Sequence, residues 1–200
     1  DGLEADEVLE IAAALAGEDR LDYINVTAGT SDGLGGSVHI VPPMAIEQAY
    51  VAPFAAAIKA RLNIPVFVAG RINQPQIAEQ VLAGGQADMC GMTRAMIADP
   101  QMPMKAEAAR FDDIRACVAC NQACIDHMLR GFPISCIQRP ETGRELEFGE
   151  RGSAALPRRI FVAGGGPGGM KAAAVAAERG HEVTLYEASS SLGGQVKLAQ

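Results

Sequence analysis

Four of the five cysteines stand within twenty residues, in the stretch Cys117-Val118-Ala119-Cys120-Asn121-Gln122-Ala123-Cys124 and at Cys136. The spacing is C-x2-C-x3-C-x11-C. Thiolate sulfur is a soft ligand suited to iron–sulfur clusters and to zinc. Three closely spaced thiolates can take three corners of a tetrahedral site, and Cys136 can close the fourth. Structural zinc sites commonly show two separated C-x2-C knuckles, whereas here a run of three is followed by a single cysteine. Four cysteines could also pair as disulfides in three ways, but the rest of the chain reads as an intracellular enzyme without a secretory segment. The spacing therefore favours Cys117, Cys120, Cys124 and Cys136 as ligands of an iron–sulfur cluster, with zinc second and disulfides last. Cys90 stands apart, within a predicted strand, and reads as a small packing residue.

A second constellation lies near the C-terminal end. Gly164-Gly165-Gly166-Pro167-Gly168-Gly169 matches G-x-G-x-x-G. The pattern predicts a strand before it (Arg159–Ala163), a helix after it (Met170–Arg179, stopped at Gly180) and a second strand, Glu182–Tyr186, ending at Glu187. Glycines in such a turn let backbone N–H groups approach a pyrophosphate at a helix N-terminus. Glu187 lies 23 residues after Gly164, where an acidic side chain accepts from ribose hydroxyls. The complete strand–helix–strand context makes dinucleotide binding the reading here, with Gly164, Gly166, Gly169 and Glu187 as contacts.

A third, weaker signal is Gly70-Arg71 at the end of one predicted strand and Thr93-Arg94 a few residues past another. In β/α barrels the loops after the last two strands commonly bind a phosphate. Glycine admits the backbone and arginine supplies a bidentate charge. From the residues alone, a solvated arginine beside a turn is the commoner outcome. The histidines are scattered; His127 near the cysteines reads as a surface or supporting residue. No Ser/His/Asp set or paired carboxylate emerges, so no catalytic acid or base is named.

The elements that position these residues follow from periodicity. Asp6–Ala16 predicts a helix with acidic residues in its first turn. Leu21–Thr27 predicts a strand, Ala28–Ser37 a glycine-rich loop, and Val41-Pro42-Pro43-Met44 a break. Ala49–Leu62 predicts a helix with Pro53 in its first turn. Ile64–Ala69 predicts a buried strand, Gln74–Ala83 a helix stopped by Gly84-Gly85, and Ala87–Gly91 a third strand. Asp99-Pro100 ends the next helix. Strand and helix alternate, which argues for a parallel sheet or barrel with helices outside. The polar stretch 141–157 reads as a linker.

Composition sets the outer bounds. The net charge of −7 and the lack of a basic stripe argue against nucleic acid. No run of 18 apolar residues is present, so no membrane span is expected. The chain opens on Asp1-Gly2 and stops at Gln200 without a terminating pattern, and it reads as a piece of a longer polypeptide.

This order of parts resembles the flavin- and iron–sulfur-containing branch of the old yellow enzyme family, which includes bacterial 2,4-dienoyl-CoA reductases, trimethylamine dehydrogenase and related N-demethylases. The matching stretches are VFVAGRINQPQIAEQVLAGGQADMCGMTRAMIADP, CVACNQACIDHM with GFPISC, and RRIFVAGGGPGGMKAAAVAAERGHEVTLYEASSSLGGQ. The resemblance implies an α/β chain in three parts with a linker. Residues 1–110 would be the end of an FMN-binding (β/α)8 TIM barrel with its last three strands, and 111–140 a [4Fe–4S] segment. Residues 141–157 would be the linker and 158–200 the start of a Rossmann-like FAD-binding domain. It implies that Arg71 and Arg94, with backbone near Gly70 and Thr93, hold the FMN phosphate. The four cysteines would hold the cluster. Gly164, Gly166, Gly169, Glu187 and Gln195 would contact FAD, or ADP in its place. The implied activity is an NAD(P)H:flavin oxidoreductase that relays electrons between FAD, cluster and FMN, reducing an enoyl-type substrate or oxidising an N-methylated amine. The implied partners are a small-molecule substrate and an electron carrier protein, and the implied location is cytoplasmic. Two alternatives stand beside it: an electron-transfer subunit similar to the small subunit of glutamate synthase, and a zinc module joined to a nucleotide-binding domain.

Overall fold

The computed structural model describes residues 3–149 and 152–198, which fall into two compact units divided after Gly143. Each unit is α/β.

In the first unit, α1 (Ala5–Gly17) starts where the Glu7 carboxylate accepts the Glu4 N–H at 2.8 Å, a reciprocal cap that satisfies one of the helix's orphan donors. It leads to β1 (Ile24–Val26), then α2 (Leu34–Ile40), α3 (Ala52–Lys59), β2 (Val66–Ala69), α4 (Pro75–Ala83), β3 (Met89–Gly91), α5 (Thr93–Ala98) and α6 (Met102–Glu107). The three strands form a parallel sheet in the order β1-β2-β3, with Val26 opposite Val68 and Val68 opposite Cys90. Val66 and Val68 on the central strand are fully buried, with Val51, Ala55 and Ile58 from the α3 region. Burying valine and isoleucine side chains contributes about 1.5–3 kcal/mol each. Pro53 and Pro75 sit in the first turns of α3 and α4, where proline's missing N–H costs nothing. The cysteine segment follows, with one short helix, α7 (Ile125–Leu129), and belongs to this unit.

Three expectations are corrected. The glycine-rich stretch Ala28–Ser37 is not all loop, because α2 begins at Leu34. Its first turn is held by Ser37 N–H to Gly33 O at 2.9 Å and Ser37 Oγ to Leu34 O at 3.1 Å. The helix expected over Ala49–Leu62 is shorter, since Ala49 takes φ 53° and Tyr50 and Val51 form a turn ahead of α3. The expected linker 141–157 contains α8 (Glu145–Phe148), and residues 150 and 151 within it lie outside the described residues.

In the second unit, β4 (Arg159–Ala163), α9 (Pro167–Glu178) and β5 (Glu182–Tyr186) form a right-sized strand–helix–strand. The strands pair in parallel, with Ala163 opposite Tyr186. Both strands alternate half-buried and exposed positions, as the two-residue period of a strand requires. A 3-10 turn over Gly194–Leu198 follows.

Candidate flavin and cysteine sites

The strands of the first unit end on one side, and a cavity of about 370 Å³ opens there. Thr27 follows β1, Ala69 ends β2 with Gly70 after it, and Gly91 ends β3; all four line it. Parallel strands place ligand sites beyond their carboxyl ends, because the loops there are free to vary while the sheet holds them in place. All four residues predicted for a phosphate, Gly70, Arg71, Thr93 and Arg94, line this one cavity.

Each has a structural reason for its place. A Cβ on Gly70 would lie 2.3 Å from Val51 Cγ2, so packing alone already demands glycine there. Arg71 takes φ 50°, in the left-handed region, and its guanidinium donates to Ile46 O. Its Nε is buried without a hydrogen-bond partner. An orphaned buried donor costs about 1–3 kcal/mol, and an anion in the cavity would satisfy it. Arg94 donates from one nitrogen to Pro42 O at 2.8 Å and to Asn121 Oδ1 at 2.6 Å. The donor set therefore fits a phosphate.

The four clustered cysteines also come together. Cys117, Cys120, Cys124 and Cys136 line a second, narrow cavity, with Arg94 in its wall. Cys117 and Cys124 face the larger cavity as well. The loop bends twice through the left-handed region, at Ala119 (φ 53°) and Asn121 (φ 58°). The first bend turns the Ala119 N–H onto Cys117 Sγ at 3.4 Å. Burial pushes the Cys117 thiol up; the Ala119 N–H and the Arg94 guanidinium pull it back, and the neighbouring Cys124 and Cys136 push it further up. All five cysteines are free thiols. Among the described residues no group of three or more His, Cys, Asp or Glu is arranged to hold a metal ion. Three thiols of this loop and Cys136 line one narrow cavity, a set of soft donors of the type that holds an iron–sulfur cluster.

Cys90 is half-buried against the core, with burial raising its thiol, as a packing residue would be. His127 Nδ1–H donates to Pro133 O at 3.0 Å and supports its own loop. Four residues with a part in the site were missed in the sequence. His39, on α2, lines the larger cavity, and the Tyr50 hydroxyl donates to its carbonyl. Asn73 donates to Cys117 O at 2.7 Å. Asp99 accepts the Arg115 N–H at 3.0 Å. Asn121 follows Cys120 directly; an asparagine inside a cysteine run, tolerant of the left-handed region, is a signal that could have been read.

In the second unit the glycine turn joins β4 to α9. A Cβ on Gly169 would fall 1.9 Å from Gly164 O, so the helix–strand contact excludes any side chain, whereas around Gly166 the space is open. Gly166 caps α9. Glu187 Oε2 accepts the Gly165 N–H at 2.6 Å and Oε1 the Ser189 N–H at 2.8 Å. The Gly193 N–H bonds back to Gly165 O at 2.9 Å, which brings the Gly193-Gly194-Gln195 turn beside the glycine loop. Gln195 itself is exposed.

Residues 35–113 match the model of the NADH:flavin oxidoreductase / NADH oxidase family, and residues 160–198 that of FAD dependent oxidoreductases. The chain is 41% identical over its full length to an N,N-dimethylglycine/sarcosine dehydrogenase of Chromohalobacter salexigens, covering 29% of that protein. The stretch 35–113 carries the NADH:flavin oxidoreductase / NADH oxidase family match, and the chain as a whole is similar to oxidoreductases of that kind. It is also 43% identical to a metal reductase of Desulforamulus reducens, over 90% of the chain and 26% of that protein. A solved 2-naphthoyl-CoA reductase in complex with 2-naphthoyl-CoA superposes with a TM-score of 0.87 at 35% identity, over 98% of the chain and 30% of that structure. The chain thus spans under a third of the length of the relatives it matches. The two family matches flank the four clustered cysteines without including them. Among the described residues no helix is long and apolar enough to cross a membrane.

Proposed function

We propose that this chain carries the FMN-phosphate end of a β/α barrel, a [4Fe–4S] segment and the first part of an FAD-binding domain of an NAD(P)H-dependent flavin oxidoreductase. The observation that carries the reading is a shared wall. Arg71 and Arg94, at the carboxyl ends of two parallel strands, line one cavity with Cys117 and Cys124, and Arg94 also lines the cavity of all four cysteines. Arg71 and Arg94, with the Gly70 and Thr93 backbone, would hold the FMN phosphate. Cys117, Cys120, Cys124 and Cys136 would hold the cluster. Gly164, Gly166, Gly169, Glu187 and Gln195 would hold FAD or ADP. When bound, flavins exchange electron pairs and a cluster passes single electrons, which suits a relay between two flavins or from a flavin to a carrier protein.

The protein's own residues orient and enclose. Arg94 neutralises the phosphate from a position fixed by Pro42 and Asn121. Ile125, Met128 and Ile134 of the cysteine segment line the larger cavity and give it an apolar wall. The substrate is an enoyl-type acceptor or an N-methylated amine. The family match ahead of the cysteines supports this reading over an electron-transfer subunit without substrate chemistry.

The test is metal and flavin analysis of the full-length protein purified without oxygen. It is expected to carry about four irons per chain at this site. Cys120→Ser loses them and Cys90→Ser keeps them, while Arg94→Ala releases FMN and retains FAD. Stoichiometric zinc without iron overturns the cluster assignment, and unchanged FMN in Arg94→Ala overturns the phosphate assignment.

A further inference from the structure

The cysteine segment is tied to the α/β unit by several side-chain-to-backbone bonds. Asn73 reaches Cys117 O, Lys105 Nζ donates to Asp113 O at 2.9 Å, and Asp99 accepts the Arg115 N–H. These three act ahead of, or at, the first cysteine. One further tie acts inside the cysteine run. Asn121, between Cys120 and Cys124, donates from Nδ2 to Val41 O at 2.7 Å and accepts from Arg94 at Oδ1 at 2.6 Å. The same Arg94 nitrogen donates to Pro42 O. One amide thus joins the turn after α2, the first turn of α5 and the cysteine loop. Val41 and Pro42 line the larger cavity, Asn121 lines the cysteine cavity, and Arg94 lines both.

A charge-assisted bond of this kind holds a guanidinium in one place. An anion in the larger cavity and a charge in the cysteine cavity would then act on the same fixed cation. We propose that Asn121 is a positioning residue that, with Arg94, clasps the cysteine loop to the mouth of the larger cavity and couples phosphate binding there to the electrostatics of the cysteine site. This rests on the phosphate and cluster assignments above. The sign follows from Coulomb's law. Arg94 stabilises the more negative, reduced cysteine site and so raises its potential. A phosphate on Arg94 offsets that charge and lowers the potential. Linkage is reciprocal, so reduction weakens phosphate binding by the same factor.

The experiment uses full-length protein with its cluster, stripped of flavin, and inorganic phosphate as the probe. The cluster potential is measured by spectroscopic redox titration with and without saturating phosphate. The expected coupling is roughly fivefold in phosphate affinity, which lowers the potential by about 40 mV for a one-electron couple. Asn121→Gly keeps the left-handed backbone and removes the amide. The three remaining ties keep the segment docked, and iron content checks that they do. The phosphate shift is expected to fall to less than half in this variant. Asn121→Asp keeps an acceptor for Arg94 but loses the donor to Val41 O and adds a negative charge that itself offsets Arg94, so it is expected to lower the potential without phosphate and to shrink the phosphate shift, which a merely structural role of the side chain would not require. A phosphate shift equal in wild type and Asn121→Gly overturns the coupling, as does an unchanged phosphate-free potential in Asn121→Asp with iron intact. A wild type without iron, or one that binds no FMN before stripping, overturns the underlying assignments and the coupling with them.

Discussion

The Glu187 carboxylate receives the Ser189 and Gly165 N–H groups, which together hold its pKa at about 2, below the ordinary 4.5. At this residue an expected ribose acceptor also stiffens the glycine loop it faces. Because the folded pKa is depressed, its bonds contribute fully above about pH 4.5 and are lost as the pH falls toward 2. Hydrogen exchange of the Gly165 amide, corrected for its intrinsic rate, is expected to show protection falling across that window in the wild type. Glu187→Gln is expected to show lower protection at neutral pH and no such fall. Protection of Gly165 that is identical in the two proteins at pH 6 would mean that the carboxylate does not hold the loop. Arg71 makes a complementary case. Its left-handed backbone and unpartnered Nε are costs, and an anion in the cavity it lines would offset the second.

At the scale of elements, what the chain spells out locally is what could be read. β4 and β5 lie where alternating apolar residues and flanking glycines put them, and α4 begins at its proline and stops before its glycines. The α2 helix could not be read, because Leu34-Gly35-Gly36-Ser37 has poor helix propensity. It is set by tertiary fit: a Cβ on Gly36 would clash with Thr30 at 2.3 Å. The site divided the same way. Arginines and cysteines announced themselves by type and spacing, whereas Asn73, Asp99 and Asn121 act through partners distant in sequence. Asp99 illustrates the cost of such a tie. It is almost wholly buried and paired with Lys105 at 2.6 Å, while it accepts the Gln101 and Arg115 N–H groups. Burial raises its carboxyl, and Lys105 with the backbone donors outweighs that and brings it below the ordinary range. Removing one partner of a buried pair strands the other charge, at about 3–5 kcal/mol. Asp99→Asn is expected to destabilise the first unit by roughly 3 kcal/mol in urea unfolding. Because Arg115 leads directly into the cysteines, iron content is expected to fall as well. A loss under about 1 kcal/mol would show that the pair is solvated.

At the scale of the whole molecule, two partial sheets must be held by 200 residues. Among the described residues β1 and β3 each pair on one side only, and an unpaired parallel edge is a template for association. The β4–β5 sheet has two strands, a size that is marginal alone in water. The Phe161 and Tyr186 rings lie tilted on its surface with centroids 4.9 Å apart and remain 66% and 59% exposed. Helix α1 buries Ala12 while Val8, Ile11 and Leu15 stay exposed. Small units with so much apolar surface in water bury too little to offset the entropy of ordering their chains. The 200 residues expressed alone are therefore expected to bind a hydrophobic dye, to melt without a sharp transition and to take up neither flavin in a one-to-one ratio. The same residues within a chain of the relatives' length are expected to melt cooperatively with flavin bound. Thermal melts by circular dichroism, dye fluorescence and flavin titration of the two proteins side by side decide it. A cooperative melt of the 200 residues with one tightly held FMN would mean that three strands and the cysteine segment suffice to build the phosphate site.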